Sequence, residues 1–191
     1  MNRGFTRNGW AIWLTGMPGS GKSTLARLVA RRLWRLRVRV QVLSVEMLRK
    51  VLTPRPQYTE KEREIVYGTL VLVAKMLTRN GVNVLIDATA NRRAYRDAAR
   101  QNIPHFCEVY LKCPLEVCVK RERKRKRRFG APSRIYDKAK TGASKTVPGI
   151  GVPYEIPLRP ELEVNTSMLK PNQAAQMIVR FISDKWHHRR G

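Results

Sequence analysis

Gly16-Met17-Pro18-Gly19-Ser20-Gly21-Lys22-Ser23 fills every fixed position of the pattern G-x-x-x-x-G-K-[ST]. Before it, Trp10–Thr15 (WAIWLT) is a short apolar run that reads as a buried strand. After it, Leu25, Leu28, Val29, Leu33 and Leu36 recur at helical spacing from Lys22 to about Leu36. A strand, a glycine-rich turn and a helix in that order make a phosphate cradle. The glycines let the backbone curl until successive N–H groups point inward, and the helix N-terminus adds positive potential. Gly16–Thr24 is therefore the candidate ATP-binding segment. Lys22 is expected to bridge the β- and γ-phosphates, and the Ser23 hydroxyl to ligate Mg²⁺.

Outward from this loop, strand and helix patterns alternate. Val38–Leu43 (VRVQVL) reads as a second strand. Thr59 to Asn80 reads as a long helix with Thr59 as N-cap, Glu62 completing a capping box and Gly81 ending it. Val82–Ile86 is a third strand ending at Asp87, and residues from about Arg93 to Gln101 a short basic helix. Phe106–Leu111 is another strand, and Pro114 opens a helix that runs into Lys120–Arg128. Residues 129–160 carry Gly142, Pro148, Gly149, Gly151 and Pro153, so this segment reads as a loop or lid. Leu162–Val164 is a short last strand, and Pro171 starts a terminal amphipathic helix. The expected fold is α/β: a three-layer P-loop NTPase fold, with a central parallel sheet flanked by helices, in one kinase domain over residues 1–191.

Charge bounds the partners. Thirty-nine Lys+Arg against 14 Asp+Glu give +25 and a pI near 11.2, which draws in polyanions: nucleotides, nucleic acid or an anionic surface. A solvated basic face gives the same numbers. The run Lys120–Arg128 has the same two readings, a clamp on a polyanion or a solvated helix end. Cys107, Cys113 and Cys118 have neither CxxC spacing nor nearby histidines and read as core thiols, not a disulfide or zinc set. No apolar run reaches the roughly 18 residues of a membrane span, and the expected location is cytoplasmic.

Two carboxylates follow strands. Asp87 either holds Mg²⁺ or orients the nucleophile, as in a Walker B element, or it caps the next helix. Glu46 either accepts a proton from an acceptor hydroxyl or is merely solvated.

The segment Ile135-Tyr136-Asp137-Lys138-Ala139-Lys140-Thr141-Gly142, followed by Pro148-Gly149-Ile150 and Pro153-Tyr154-Glu155, resembles the lid of adenylyl-sulfate (APS) kinases, L-Y-x-K-A-(R/K)-x-G…T-G-(I/V)-x-x-P-Y-E. Cys113-Pro114-Leu115-Glu116-Val117-Cys118 resembles that family's strand-to-helix junction, with Arg121 at its matching arginine. The likeness runs from about Trp10 to Ile182. It implies transfer of the ATP γ-phosphate to the 3′-hydroxyl of adenylyl sulfate in sulfate assimilation. Arg121 would then join the nucleotide site, Arg49, Arg63 and Arg93 would hold the acceptor, and Lys138 with Lys145 would close over the reaction. A homodimer is compatible with this.

The acceptor half departs from the family. Ser44-Val45-Glu46-Met47-Leu48-Arg49 stands where the family has D-G-D-N-x-R, so the base becomes Glu46. Tyr58-Thr59 stands where the family has F-S, and Arg63 survives from F-S-x-x-x-R, but Val66 and Gly68 replace an Asn and an Arg. Thr89-Ala90-Asn91-Arg92-Arg93 replaces I-S-P-F-R, and Val147 replaces the lid aromatic that stacks on adenine. Two alternatives follow from these losses: a kinase of another small metabolite or of a nucleic-acid end, or a non-catalytic nucleotide-binding protein.

Overall fold

The computed structural model describes residues 8–125 and 132–186. Five strands, β1 (Ala11–Thr15), β2 (Val40–Ser44), β3 (Asn83–Asp87), β4 (Phe106–Lys112) and β5 (Leu162–Asn165), form one sheet in the order β2-β3-β1-β4-β5. All the pairings are parallel. The helices are α1 (Lys22–Arg35), α2 (Val45–Leu52), α3 (Glu60–Arg79), α4 (Arg93–Asn102), α5 (Leu115–Arg123), α6 (Ile135–Lys140) and α7 (Pro171–Trp186).

Alternation along β1 assigns the layers. Ile12 and Leu14 face a cluster with Leu25, Val29 and Leu33 of α1 and Ala175, Ile178 and Ile182 of α7. Ala11 and Trp13 face Val66, Leu70 and Ala74 of α3, Ala99 of α4 and Val45 of α2. Both faces of the strand are buried, which is why it reads as a continuous apolar run rather than an alternating one. The three-layer α/β expectation holds. The three cysteines are buried and free, as expected.

This order creates a crevice. From β1 the chain leaves through α1 on one face, and from its neighbour β3 it leaves through α4 on the other. Adjacent strands whose helices depart to opposite faces open a gap beyond their carboxyl ends. Leu14 pairs with Asp87 in register, so the end of β3 lies beside the start of the glycine loop.

Four local expectations change. Residues 45–52 form α2, capped by the Ser44 hydroxyl accepting from the Glu46 N–H at 3.3 Å, so Glu46 stands in a helical first turn. The lid is not all loop: α6 lies within it, with Tyr136 fully buried. The second strand starts at Val40 because Val38 is drawn into the end of α1, its N–H bonded to Leu33 O at 2.9 Å. At α3 the Thr59 hydroxyl accepts from Glu62 N–H at 3.2 Å, but the Glu62 carboxylate reaches past Thr59 to the N–H groups of Tyr58 and Gln57. It thereby fixes the turn that carries Tyr58. Residues 126–128 of the basic run and 129–131 of the lid lie outside the described residues.

Because Thr59 satisfies an end N–H that has no helical partner, Thr59→Ala is expected to cost about 1 kcal/mol of unfolding free energy. Urea denaturation checks it, and an unchanged midpoint would show that Glu62 alone secures the turn.

Candidate active site

Four carbonyls of the glycine loop are tied off by side chains. Lys22 Nζ donates to Gly16 O at 2.9 Å and to Met17 O at 3.0 Å. Tyr136 Oη donates to Pro18 O at 2.7 Å, and Thr166 Oγ1 to Ser20 O at 3.0 Å. With these oxygens occupied, the loop keeps its amides for a ligand, except that of Ser20, which donates to Met17 O at 3.0 Å. Gly19, at φ 87, shows how tightly the loop is held: a Cβ there would meet Cys118 O at 2.4 Å. Gly21, at φ 103, faces open space with nothing within 4 Å of the same imagined atom.

The loop forms one end of a cleft of about 760 Å³. Pro18 through Thr24 line it, while Gly16 and Met17 lie behind, bonded to Lys22. Asp87 and Glu46 both face this cleft. The Ser23 hydroxyl lies beside Asp87 and favours its charged form. Asp87 does not cap a helix, since the N-cap of α4 is Arg92. Hydroxyl and carboxylate together form the donor pair a hard cation takes, with phosphate and water oxygens completing its shell. Among the described residues no group of three or more His, Cys, Asp or Glu could hold a metal alone.

Burial sets the charges. It pushes the Lys22 ammonium below its ordinary value, with Asp87 as the main opposing influence. It pushes Asp87 up, against the pull of Lys22 and of the neighbouring Ser23. It also pushes Glu46 up, against Arg49, while Asp87 adds to the rise. The Glu46 carboxylate accepts no hydrogen bond among the described residues.

The arginines divide. Arg49 is buried, its guanidinium 4.8 Å from the Tyr58 ring centroid, and its Nη1 has no hydrogen-bond partner although it borders the cleft. A buried donor without a partner is costly, which makes this nitrogen a receptor for an anion. Arg63 also borders the cleft but is already engaged: Nε bonds Tyr58 O at 3.1 Å, Nη1 Asn91 Oδ1 at 3.0 Å, and Nη2 Thr146 O at 2.6 Å. It ties three walls together, with two N–H positions left over. Arg93 does not line the cleft; it reaches Ile156 O at 3.3 Å, and its backbone N–H bonds the Glu155 carboxylate. The expectation that it holds the acceptor is therefore not met by its placement. Arg121 borders the cleft and bonds Thr166 O at 2.7 Å, joining it to the hydroxyl that holds Ser20. Lys138 and Lys145 face the cleft from the lid, and Val147 packs in the cluster of Cys118 and Tyr136.

Two contributors were not singled out from sequence. Arg125, two residues beyond the end of α5, borders the cleft and acts on Lys22, Glu46 and Asp87; its only signal was its place in the basic run four residues after Arg121. Arg96, discussed below, carries no motif.

The family model for adenylylsulphate kinase matches residues 8–165. The chain belongs to the adenylylsulphate kinase family. A probable adenylyl-sulfate kinase of Pyrococcus abyssi is 35% identical over 172 residues, 90% of this chain and 94% of the relative. One from Archaeoglobus fulgidus is 36% identical, over 82% of this chain and 96% of its own length. Among solved structures, the Mycobacterium tuberculosis APS kinase CysC in complex with AMPPNP and APS superposes with a TM-score of 0.82 at 29% identity. That match covers 92% of this chain and 98% of the other. The P-loop NTPase fold read from the sequence is thus the family's fold.

Burial of Glu46 has a pH consequence. Its proton is held more tightly in the folded than in the unfolded chain. Its contribution to stability is therefore present below the ordinary glutamate range and is lost as pH rises through the raised folded value. Glu46→Gln should gain stability over the parent as pH rises across that window. Urea melts of both proteins at several pH values check this; a difference that does not change with pH would contradict it.

Proposed function

We propose that this protein is an adenylyl-sulfate kinase, transferring the γ-phosphoryl group of ATP, as its magnesium complex, to the ribose 3′-hydroxyl of adenylyl sulfate. One observation carries the reading. In a chain of this family, the phosphate cradle with Lys22, Ser23 beside Asp87, and Arg49, whose Nη1 lacks a hydrogen-bond partner among the described residues, all face one cleft of about 760 Å³. That volume suits two nucleotide-sized ligands end to end.

The roles follow from position. The amides of Gly19–Ser23 and the Lys22 ammonium take the β- and γ-phosphates and meet the charge that spreads over the transferring group. Ser23 and Asp87 would hold the magnesium ion, which would supply neutralisation of phosphate charge. Glu46 receives the acceptor's proton, since its carboxylate accepts no hydrogen bond among the described residues, whereas Asp87 lies beside Ser23 and faces the Lys22 charge. Arg49 and the spare donors of Arg63 hold the acceptor's anionic end. Tyr58, with Arg49 over its ring, supplies the aromatic surface for a base. Lys138 and Lys145 close the lid side, and Arg121 with Arg125 borders the nucleotide. Residues 1–191 act as one kinase domain. Among the described residues no helix is long and apolar enough to cross a membrane, and the buried free thiols suit the reducing cytoplasm.

Incubation with γ-labelled ATP, Mg²⁺ and adenylyl sulfate should move the label to the acceptor. Glu46→Gln should lower that rate by about 100-fold or more, the usual weight of a general base, with nucleotide affinity kept. Label moving to water or to other hydroxyl metabolites but never to adenylyl sulfate would overturn the assignment.

A further inference from the structure

Six glycines of the described chain take positive φ, and so do four other residues, Arg37, Tyr58, Ala90 and Arg134; of these four only Ala90, three residues beyond the carboxylate of β3, is buried. Ala90 sits at φ 43, fully buried. A left-handed, non-glycine residue is strained and persists only where its surroundings hold it. Here the hold comes from both sides. The Ala90 N–H donates to Tyr67 Oη at 3.0 Å, and its carbonyl accepts from Arg96 Nη1.

The whole segment is pinned in this way. Ala88 O accepts from Trp13 Nε1 at 3.0 Å, Thr89 O from Thr15 Oγ1 at 2.7 Å, and Asn91 O from Glu155 N–H at 2.7 Å. Four consecutive carbonyls are thus occupied, and Asp87, Ala88 and Thr89 form a wall of the cleft. Arg96 joins this wall to the far root of the lid. Its Nη2 donates to Glu155 O at 2.6 Å, and its guanidinium carbon lies 5.7 Å from the Tyr154 ring centroid. Tyr154 Oη in turn lies 2.9 Å from Thr15 Oγ1.

Arg96 is itself held by a buried charge. It is 1% exposed, and its Nε lies 2.5 Å from Oε1 of Glu108 in the middle of β4, out of line for a hydrogen bond. Arg100 approaches the other oxygen of Glu108 at 3.7 Å and pairs with Glu161. A buried ion pair is an expensive way to stabilise a fold, because desolvation offsets most of its attraction. A glycine at position 90 would need no such clamp.

We propose that Arg96, fixed by Glu108, is a positioning residue for the acceptor side of the reaction. It holds Ala90 left-handed and the lid root at Glu155 together, and so sets the Asp87–Asn91 wall and the Asn91 amide that receives Arg63. It touches neither nucleotide nor acceptor. The proposal rests on the kinase reading for its kinetic readout, though not for its structural one.

Arg96→Gln and, as a variant that keeps the Trp13 and Tyr95 ring contacts, Tyr67→Phe test it in the full chain. Each should raise KM for adenylyl sulfate on the order of 10-fold or more, with KM for ATP changed less than about twofold. Each should also speed amide hydrogen exchange over residues 88–92. Glycine at position 90 removes the need for the clamp, so Arg96→Gln should cost far less in an Ala90→Gly background than in the parent. Equal effects on both substrates, unchanged exchange over 88–92, or a penalty independent of Ala90→Gly would each overturn the positioning role. If the parent protein transfers nothing to adenylyl sulfate, the kinase reading fails on its own, and the exchange comparison still decides the role of Arg96.

Discussion

A buried ammonium among its own loop's carbonyls is the constraint on which the rest depends. Lys22 cannot leave the cleft without abandoning Gly16 O and Met17 O, and it cannot stay charged there without compensation. Asp87 supplies part of it from the neighbouring strand. The remainder is an appetite for anion. The carbonyls of Pro18 and Ser20 are sealed from behind by Tyr136 and Thr166, which leaves the loop's free amides, other than that of Ser20, toward the cleft. A triphosphate with its metal ion answers each of these demands at once.

The sheet order makes that arrangement possible. Placing β1 between β3 and β4 sets the glycine loop beside Asp87 on one flank and beside the β4–α5 junction, with Cys113 and Arg121, on the other. The apolar layers on both faces of β1 make its carboxyl end rigid. The lid is anchored to the same end by buried arginines, Arg63 at Thr146 and Arg96 at Glu155. Positioning dominates phosphoryl transfer, so rigidity at these roots bears directly on rate.

Local signals were legible in the sequence, and long-range ones were not. The glycine loop, the strand to Asp87 and the capped α3 each rest on residues within a few positions of one another. A short helix such as α2 escaped because its eight residues follow β2 without a break and Met47, Val51 and Leu52 stay exposed. The glycines and prolines of the lid hid α6, whose one decisive feature is the burial of Tyr136 against a loop 118 residues away. Arg93 and Arg96 looked alike in a basic helix. Only the packing of α4 on β4 turns one toward Glu108 and leaves the other at the lid's edge. The tie from Arg63 through Asn91 to Thr146 likewise needs the fold before it exists.

Equilibrium titration with magnesium AMPPNP tests the central claim most directly, comparing the parent protein with Lys22→Ala. The account predicts saturable, magnesium-dependent binding by the parent and an affinity lower by about 100-fold or more without the ammonium, the weight of a charge-assisted contact in a buried site. Equal affinity in the two proteins, with or without the metal, would contradict it.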